Sequence, residues 1–440
     1  MLVRYGLAEL LRGLGLAPVW TRRGDARLAV VLGEGGGDGA ELVVTEAALG
    51  HLETPRVPAV GDLGWIRAEG EAWPVPVGPG GAATVGDAVA GAAWWLAGLQ
   101  ERAGPRDEHG RAPFAASLQA RLGDGPGGPL RPAVDAARAA LADWLGRRGI
   151  DVPGRTWGGA PWAVALSHDL DAVRTRRLAA GLAGLARGRP AEAARRAFGP
   201  DRRRASVDEL RALGRRHRSP ATWFVKPGAW APQDLPGTLD DALVRTLRRW
   251  RDADHAEVGW HPGYGAHDHP GRLAAEAERF RRAFGAPPRL ARTHFLRWTE
   301  PATPRLLAAQ GVAVDSTLGW SERPGFRRAT AQPFRLFDAE AGRATGLWEM
   351  PLAVMDTTLA DHLGLDPDAA GAALRAVFDA ARQRGGVAVV LWHNQVGADT
   401  AGWTARLDAL DRELGRARDA GASVGPVGAL LDAWRDNPGR

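Results

Sequence analysis

Two carboxylates and three histidines at the ends of apolar segments are the residues of this sequence best suited to chemistry. Asp169 and Asp171 end one apolar run, and both point the same way because successive side chains of a strand alternate between its faces. Adjacent carboxylates repel each other unless a cation or a shared proton separates them. His261, His294 and His393 each follow a later apolar run. Carboxylates combined with spaced histidines indicate a hydrolytic metal site.

The segments that carry these residues alternate between strand and helix patterns. Strands are predicted at 163–166, 221–225, 256–258, 290–293, 312–315, 348–351 and 387–391. Helices are predicted at 207–216, 238–251, 273–284, 301–310, 368–383 and 404–420. Such alternation predicts parallel strands joined by crossovers, and about seven of them fit a distorted (β/α)7 barrel. In a barrel of this kind, catalytic groups lie at the carboxyl ends of the strands, where all five residues fall.

The first part of the chain predicts a smaller α/β domain. We place this accessory domain at residues 1–155 and the barrel at 156–440. Its predicted elements are short strands at 28–32 and 41–44 and helices at 87–99 and 132–147. A segment rich in proline and glycine, residues 153–161, marks the linker.

Composition limits the class of protein. The chain has 440 residues, of which 45% are apolar and 25% charged, as expected of two globular domains. Lys226 is the only lysine, so arginine supplies nearly all the positive charge, and the formal net charge of only +6 does not predict nucleic-acid binding. Cysteine is absent, which excludes disulfides and thiolate ligands. With no secretory leader pattern and no apolar run of transmembrane length, we expect a cytoplasmic protein.

The segment 174–218 is rich in arginine. Leu178, Leu182 and Leu185 at helical spacing predict an amphipathic helix. The main interpretation is a solvated helix over the barrel mouth. The alternative is a surface for anionic glycan, polyphosphate-linked lipid or membrane headgroups, which would give peripheral membrane contact.

Six short motifs follow one another in order along the second domain. They are residues 167–171, 220–225, 257–261, 292–295, 315–320 and 391–393. In this order they resemble the motifs of the polysaccharide deacetylases (carbohydrate esterase family 4, the NodB homology domain) over roughly residues 160–430. The runs 261–265, 292–298, 315–320 and 349–356 resemble a bacterial subgroup with an uncharacterised N-terminal domain, and the loop 107–114 is similar to a segment of that domain.

The resemblance implies a divalent metal, zinc by default, with cobalt, nickel and iron as alternatives. Asp171 and His261 would be ligands. The family has a second histidine four positions after His261, where this chain has Gly265. We predict that His294 replaces it, because His294 ends the adjacent strand. The alternative replacements are His267 and His269.

The resemblance also implies the catalytic roles. Asp169 would be the general base, oriented by Arg292. His393 would be the general acid, with Asp315 as the partner that keeps it protonated. A backbone N–H near Phe295 would stabilise the oxyanion.

Aromatic residues flank these motifs and could contact a sugar ring, although core packing explains them equally well. They are Tyr264, Phe295, Trp320 and Trp392.

The predicted function is a metal-dependent hydrolase that removes N- or O-linked acetyl groups from a carbohydrate. The substrate would be an acetylated sugar or polysaccharide precursor, in surface-polysaccharide or cell-wall precursor metabolism. The alternative is a catalytically impaired protein of the same fold that binds glycan or acts as a scaffold.

Overall fold

The computed structural model describes residues 1–16, 57–76, 81–102, 104–173, 201–235, 239–394 and 399–437, with isolated positions between 29 and 52 and between 188 and 194. The strands are β1 Ala29–Val30, β2 Ala40–Glu41, β3 Gly64–Ala68, β4 Glu71–Val75, β5 Gly81–Ala82, β6 Trp162–Leu170, β7 Thr222–Val225, β8 Glu257–Trp260, β9 Leu290–Ala291, β10 Val314–Asp315, β11 Phe334–Asp338, β12 Arg343–Glu349, β13 Leu352–Met355, β14 Val387–Leu391 and β15 Ala422–Gly425. The helices are α1 Leu2–Gly13, α2 Val85–Leu96, α3 Leu99–Arg102, α4 Leu118–Leu122, α5 Ala133–Gly146, α6 Arg202–Arg216, α7 Asp241–Asp254, α8 Pro270–Phe284, α9 Ala302–Ala309, α10 Pro367–Gln383, α11 Thr400–Asp419 and α12 Val427–Asp436.

Local sequence sets the ends of the helices between the strands. Asp240 and Asp366 cap α7 and α10, because each side chain accepts a hydrogen bond from a backbone N–H of the first turn. Pro367 occupies the first turn of α10, where a proline costs no hydrogen bond. Helix α8 ends at Gly285, whose φ of 82° is readily adopted only by glycine.

A ten-stranded sheet dominates the second part of the chain. Its order is β11-β12-β10-β9-β8-β7-β6-β14-β13, and β15 pairs with the first half of β6. The described pairs are parallel, apart from the antiparallel pair β11–β12. Strands β6 to β10 follow one another in the sheet, and α6 to α9 are their crossovers.

The connection from β12 to β13 requires the sheet to curl. The chain leaves β12 at Glu349 and enters β13 at Leu352, although β12 pairs with β10 and β13 pairs with β14. Three residues reach at most about 10 Å. In a flat sheet with about 4.8 Å between strands, β12 and β13 would lie about 34 Å apart. The two edges therefore nearly meet, which confirms the predicted distorted (β/α) barrel.

Strand β6 shows how the barrel separates its two faces. Ala163 and Ala165 belong to the apolar cluster inside the barrel, whereas Val164 and Leu166 pack in the cluster that faces the helices. The same alternation directs Asp169 inward. His168 faces outward and packs on Trp223 at a ring-centroid distance of 4.5 Å.

The N-terminal part packs directly on the barrel. It consists of the three-stranded sheet β4-β3-β5, the pair β1–β2 and helices α1 to α5. Glu9 of α1 accepts a hydrogen bond from the Arg335 N–H at 3.1 Å. Asp135 of α5 accepts from the Thr330 hydroxyl and the Ala331 N–H, both at 2.7 Å. One apolar cluster runs through both parts, and the division at residue 155 stays a prediction.

Several elements differ from the sequence prediction. Helix α1, the β3–β4 hairpin and strand β11 were not predicted. The hairpin turns at Glu69 and Gly70, which have φ angles of 51° and 82°. A Glu-Gly turn is a weak signal, because glutamate has no special tolerance of the left-handed region. The predicted strand at 28–32 lies largely outside the described residues.

The arginine-rich segment is described mainly from residue 201 onward, where α6 forms. The predicted amphipathic helix carrying Leu178, Leu182 and Leu185 lies outside the described residues. Within the described ranges, no helix is both long and apolar enough to cross a bilayer. Contact of this segment with a membrane stays a prediction.

Asp135 provides a test of how the two parts hold together. Asp135→Ala removes a buried carboxylate that also pairs with Arg138, and it leaves the Ala331 N–H without its acceptor. We expect the free energy of unfolding to fall by about 3 kcal/mol, measured by urea denaturation. The matched control is Asp143→Ala on the same helix, which breaks only the exposed pair with Arg147. An equal effect of both substitutions would contradict the proposed contact.

Candidate active site

Asp171, His261 and His294 come together at the carboxyl ends of β6, β8 and β9. Their ligand-type atoms all lie within 4.8 Å of one another. Asp171 Oδ1 lies 3.4 Å from His261 Nε2 and 3.3 Å from His294 Nε2. The structure thus brings together the three predicted metal ligands.

The outer nitrogen of each imidazole has an acceptor. His261 Nδ1 lies 2.6 Å from the carbonyl oxygen of Arg292, and His294 Nδ1 lies 2.8 Å from Asp234 Oδ1. Because a carbonyl oxygen only accepts, His261 carries a proton on Nδ1, and Nε2 is the nitrogen that faces Asp171. Such outer partners orient imidazoles that bind metals.

The donor set fits a divalent cation. Asp171 Oδ1 and His261 Nε2 are buried and have no hydrogen-bond partner among the described residues. An unpaired buried polar atom costs about 1–3 kcal/mol, and one cation between these atoms would satisfy both. Burial raises the pKa of Asp171, but the imidazoles of His294 and His261 outweigh it and hold the pKa well below its usual value. An ionised carboxylate with two imidazoles is a ligand set typical of zinc.

Arg292 fixes the orientation of Asp169. Its guanidinium is fully buried, and Nη1 donates to Asp169 Oδ1 at 3.0 Å and to Ser167 Oγ at 2.9 Å. Nε and Nη2 donate to the backbone carbonyl and the hydroxyl of Ser316. Asp169 Oδ2 lies 3.7 Å from His261 Nε2 and therefore borders the ligand cluster.

His393 lies on another side of the cluster, with Nε2 4.0 Å from Asp171 Oδ2. Its Nδ1 lies 2.6 Å from Asp356 Oδ1, and its backbone N–H donates to Asp356 Oδ2. Burial lowers the pKa of His393, but the carboxylates of Asp356, Asp171 and Asp169 outweigh it and raise the pKa to about 10. The imidazole is therefore protonated at neutral pH.

Asp315 is not the partner of His393, so that prediction is wrong. Its oxygens accept from the N–H and the hydroxyl of Thr317, at 2.8 and 2.9 Å. The reason is sheet order: β10, which carries Asp315, is not a neighbour of β14, whereas Asp356 follows β13, which pairs with β14. Asp315 instead faces Glu349 across the β10–β12 pair. Burial, reinforced by Asp315, raises the pKa of Glu349 well above its usual value, so this pair retains a proton.

Asp234 and Asp356 are site residues that the sequence prediction missed. Asp356 ends the 349–356 motif, so the sequence marked its position. Nothing in the sequence indicated that it pairs with His393. Asp234 lies in the loop after β7, where no periodic pattern marks it. It accepts from the backbone N–H groups of Trp230 and Tyr264 as well as facing His294.

His267 and His269, the alternative ligands, lie outside the cluster formed by the described residues. His267 is buried, with Nε2 3.3 Å from the Thr299 hydroxyl. His269 caps α8 by accepting from the Arg272 N–H. A Cβ at Gly265 would lie 2.7 Å from Arg272 Nη1.

The four predicted substrate-contacting aromatics divide into two pairs. Phe295 and Tyr264 are partly exposed and pack edge to face at a ring distance of 5.3 Å. Phe295 also packs against the His294 ring at 4.8 Å. Trp320 and Trp392 are buried, Trp320 with its N–H on Gln119, so neither indole presents a surface to a ligand.

Comparisons with solved structures find proteins of similar fold. A candidate polysaccharide deacetylase from Mycobacterium smegmatis is 21% identical, with a TM-score of 0.44, over 63% of this chain and 91% of that one. A second candidate, from Pseudomonas aeruginosa PAO1, is 17% identical, with a TM-score of 0.44, over 64% and 94%. An allantoinase is 15% identical, with a TM-score of 0.44, over 64% and 92%. No family model matches the chain, and no curated protein matches it.

Glu276 of α8 holds the segment that follows His261. This buried carboxylate accepts from the indole N–H groups of Trp230 and Trp260 and from the Gly263 N–H. Burial raises the pKa of Glu276 to about 7, although these hydrogen bonds oppose the shift. The folded protein therefore binds this proton more tightly than the unfolded chain does.

The ligand cluster predicts a metal stoichiometry. We expect about one divalent cation per chain in the purified protein, measured by elemental mass spectrometry, and its loss in Asp171→Ala, His261→Ala and His294→Ala. His267→Ala is the matched control, because it removes a nearby buried imidazole outside the cluster. Retention of the metal in His294→Ala with its loss in His267→Ala would move the third ligand to the 267–269 loop.

The raised pKa of Glu276 predicts a pH dependence of stability. The stabilisation is fully present below about pH 4.5, the unfolded value, and is lost as the pH rises through about 7. Melting temperatures measured with a chelator should show this fall in the wild type, and Glu276→Gln should lack it. Glu278→Gln on the same helix is the control. Hydrogen bonds from Arg281 and Arg282 lower the pKa of Glu278 to about 2, outside the window. An unchanged slope in Glu276→Gln would refute the assignment.

Proposed function

We propose that this chain is a metal-dependent hydrolase that removes acetyl groups from a carbohydrate. One observation carries the proposal: the cluster of Asp171, His261 and His294, with its unpaired buried atoms, borders both an arginine-fixed carboxylate and an aspartate-fixed imidazolium. The ordered motifs of the sequence support carbohydrate deacetylation among the hydrolytic reactions that such a site could perform.

Asp169 is the proposed general base. Arg292 occupies its Oδ1, so Oδ2, which borders the cluster, is the oxygen available to take a proton from water. A divalent cation held by Asp171, His261 and His294 would, when bound, lower the pKa of water and polarise the acetyl carbonyl.

His393 is the proposed general acid. Its Nε2 borders the cluster while Nδ1 is engaged by Asp356, so Nε2 is the atom that can donate a proton to the leaving nitrogen or oxygen. Asp356 orients the ring and favours the imidazolium, as a carboxylate partner does in hydrolytic triads. Asp356 therefore takes the supporting role first assigned to Asp315.

The proposed substrate is an acetylated sugar or polysaccharide precursor, N- or O-linked. Phe295, which packs against His294, and its neighbour Tyr264 are partly exposed aromatic rings of the kind that pack against the apolar face of a sugar. Zinc is the default metal, and we propose action on precursors in the cytoplasm.

Substitutions that affect the proposed base and the proposed acid should have different kinetic effects. Asp169→Asn should lower kcat by about 10²–10⁴ on both an N-acetylated sugar and 4-nitrophenyl acetate, with the metal retained. Asp356→Asn should affect the sugar more than the ester, because 4-nitrophenolate leaves without a proton. The same substitution should move the alkaline limb of the plot of kcat against pH, measured with the acetylated sugar, to lower pH. The reason is that Asp356 raises the pKa of His393.

The control for Asp356→Asn is Asp361→Asn, an exposed aspartate of the following helical turn. It should change neither rate nor pH profile. A metal-loaded wild type that binds acetylated sugars without hydrolysing either probe would contradict the hydrolase and support the impaired glycan-binding alternative.

A further inference from the structure

The loop at residues 107–114, in the N-terminal part, is built as a rigid turn. Asp107 Oδ1 accepts from the N–H groups of His109 and Arg111, at 2.9 and 2.8 Å, and Oδ2 accepts from Arg111 Nε at 2.7 Å. Gly110, with a φ of 76°, closes the turn. Burial raises the pKa of Asp107, but hydrogen bonds from Arg111 outweigh it and lower the pKa, so the carboxylate that holds the turn stays ionised.

This turn docks on the residues that follow the two imidazole ligands. The backbone oxygen of His109 accepts from Arg297 Nε at 2.8 Å, and Arg111 Nη1 donates to the Phe295 carbonyl at 3.3 Å. His109 Nδ1 lies 3.1 Å from the Tyr264 hydroxyl. Tyr264 comes three residues after His261, and Phe295 directly follows His294. The N-terminal part thus touches both ligand-bearing segments.

The His109 ring lies two ring contacts from a proposed ligand. His109 packs against Phe295 at 4.8 Å, and Phe295 packs against His294 at 4.8 Å. Phe295 has a φ of 59°, a strained conformation for this residue that requires support from its surroundings. The contact from Arg111 to its carbonyl supplies part of that support.

The groups at this rim match the chemistry of a sugar. His109 keeps about a fifth of its side chain exposed, and its Nε2 is 3.7 Å from the exposed Glu108 carboxylate. Imidazole and carboxylate groups form hydrogen bonds with hydroxyl groups, and the partly exposed rings of Phe295 and Tyr264 can pack against the apolar face of a sugar. The Phe295 ring lies against both His294 and His109, so the part of a ligand that meets His109 lies beyond the part that reacts at the cluster.

We propose that the 107–114 turn forms a second sugar subsite, in which His109 binds the unit next to the acetylated one. The preferred substrate is then an acetylated glycan of two or more units and not a single sugar. This inference rests on the proposed function, because it extends the same site. It also assigns the N-terminal part a role in specificity.

The test uses the full chain loaded with zinc and measures kcat/KM on N-acetylglucosamine oligomers and O-acetylated xylose oligomers of one to four units. The wild type should prefer longer oligomers of at least one series. His109→Ala should lower the ratio of kcat/KM for the tetramer to kcat/KM for the monomer by about tenfold. This is the effect expected when the second sugar unit loses one hydrogen bond and its packing against the imidazole. Tyr264→Phe, which removes only the hydroxyl beside His109, should lower it less. The backbone contacts that hold the turn do not involve the imidazole, so His109→Ala should still fold, which a cooperative thermal transition would show.

His255→Asn is the matched control, because His255 lies before β8 at the opposite end of the strands and asparagine tolerates its left-handed backbone. It should leave the ratio unchanged. A wild type without length preference, or a ratio unchanged in His109→Ala, would overturn the second subsite while the deacetylase activity stands. Absence of activity on every oligomer and on 4-nitrophenyl acetate would instead refute the proposed function.

Discussion

The site depends on one electrostatic constraint: four acidic side chains converge at one end of the barrel, and each needs a positive partner. Asp169 has Arg292, Asp356 has His393, and Asp234 has His294 with Lys226 at 3.7 Å. A carboxylate withdrawn from water remains ionised only when such partners offset the loss of hydration. Asp171 differs, because its neighbours are the inner nitrogens of imidazoles whose outer nitrogens are already engaged. Together with this carboxylate, those inner nitrogens are the atoms that would hold the proposed divalent cation.

This constraint accounts for much of the surrounding structure. Arg292 is held by Ser167 and Ser316, so its guanidinium has one orientation, and Ser316 in turn donates to the Met350 carbonyl. Behind it, the Asp315–Glu349 pair joins β10 to β12, close to where the barrel nearly closes. Because that pair retains a proton, it adds less negative charge to the buried region than two carboxylates would. Asp169, the proposed base, is therefore fixed by neighbours that lie away from the proposed ligands.

The N-terminal part has a structural and a chemical contribution. Buried ion pairs, such as Glu101 with Arg327, and the contacts of Asp135 attach it to the barrel. The turn at 107–114 uses that attachment to place His109 beside Tyr264 and Phe295. Rigid attachment matters here, because a specificity contact requires an imidazole held at a defined distance from the reacting centre.

The sequence by itself determined the barrel, its strand ends and most residues of the candidate site. Alternating apolar runs and helices specify parallel strands, and short motifs place Asp169, Asp171, His261, His294 and His393 at the strand ends. These signals are local, since a strand and the residue after it are read from a few neighbouring positions. His294 was preferred to His267 and His269 as the third ligand for the same reason, because it ends the strand next to the one that precedes His261.

Only the tertiary structure decided which side chains are partners. Asp356 and not Asp315 engages His393, because sheet order, which the chain order does not reveal, places β13 beside β14. Asp234 supports His294 from a loop without periodic pattern, and His109 reaches the site from a segment about 150 residues away in the chain. Such contacts depend on how the sheet curls and on what packs against it. The sequence determined the residue types of the site, and packing over long chain separations determined their pairing.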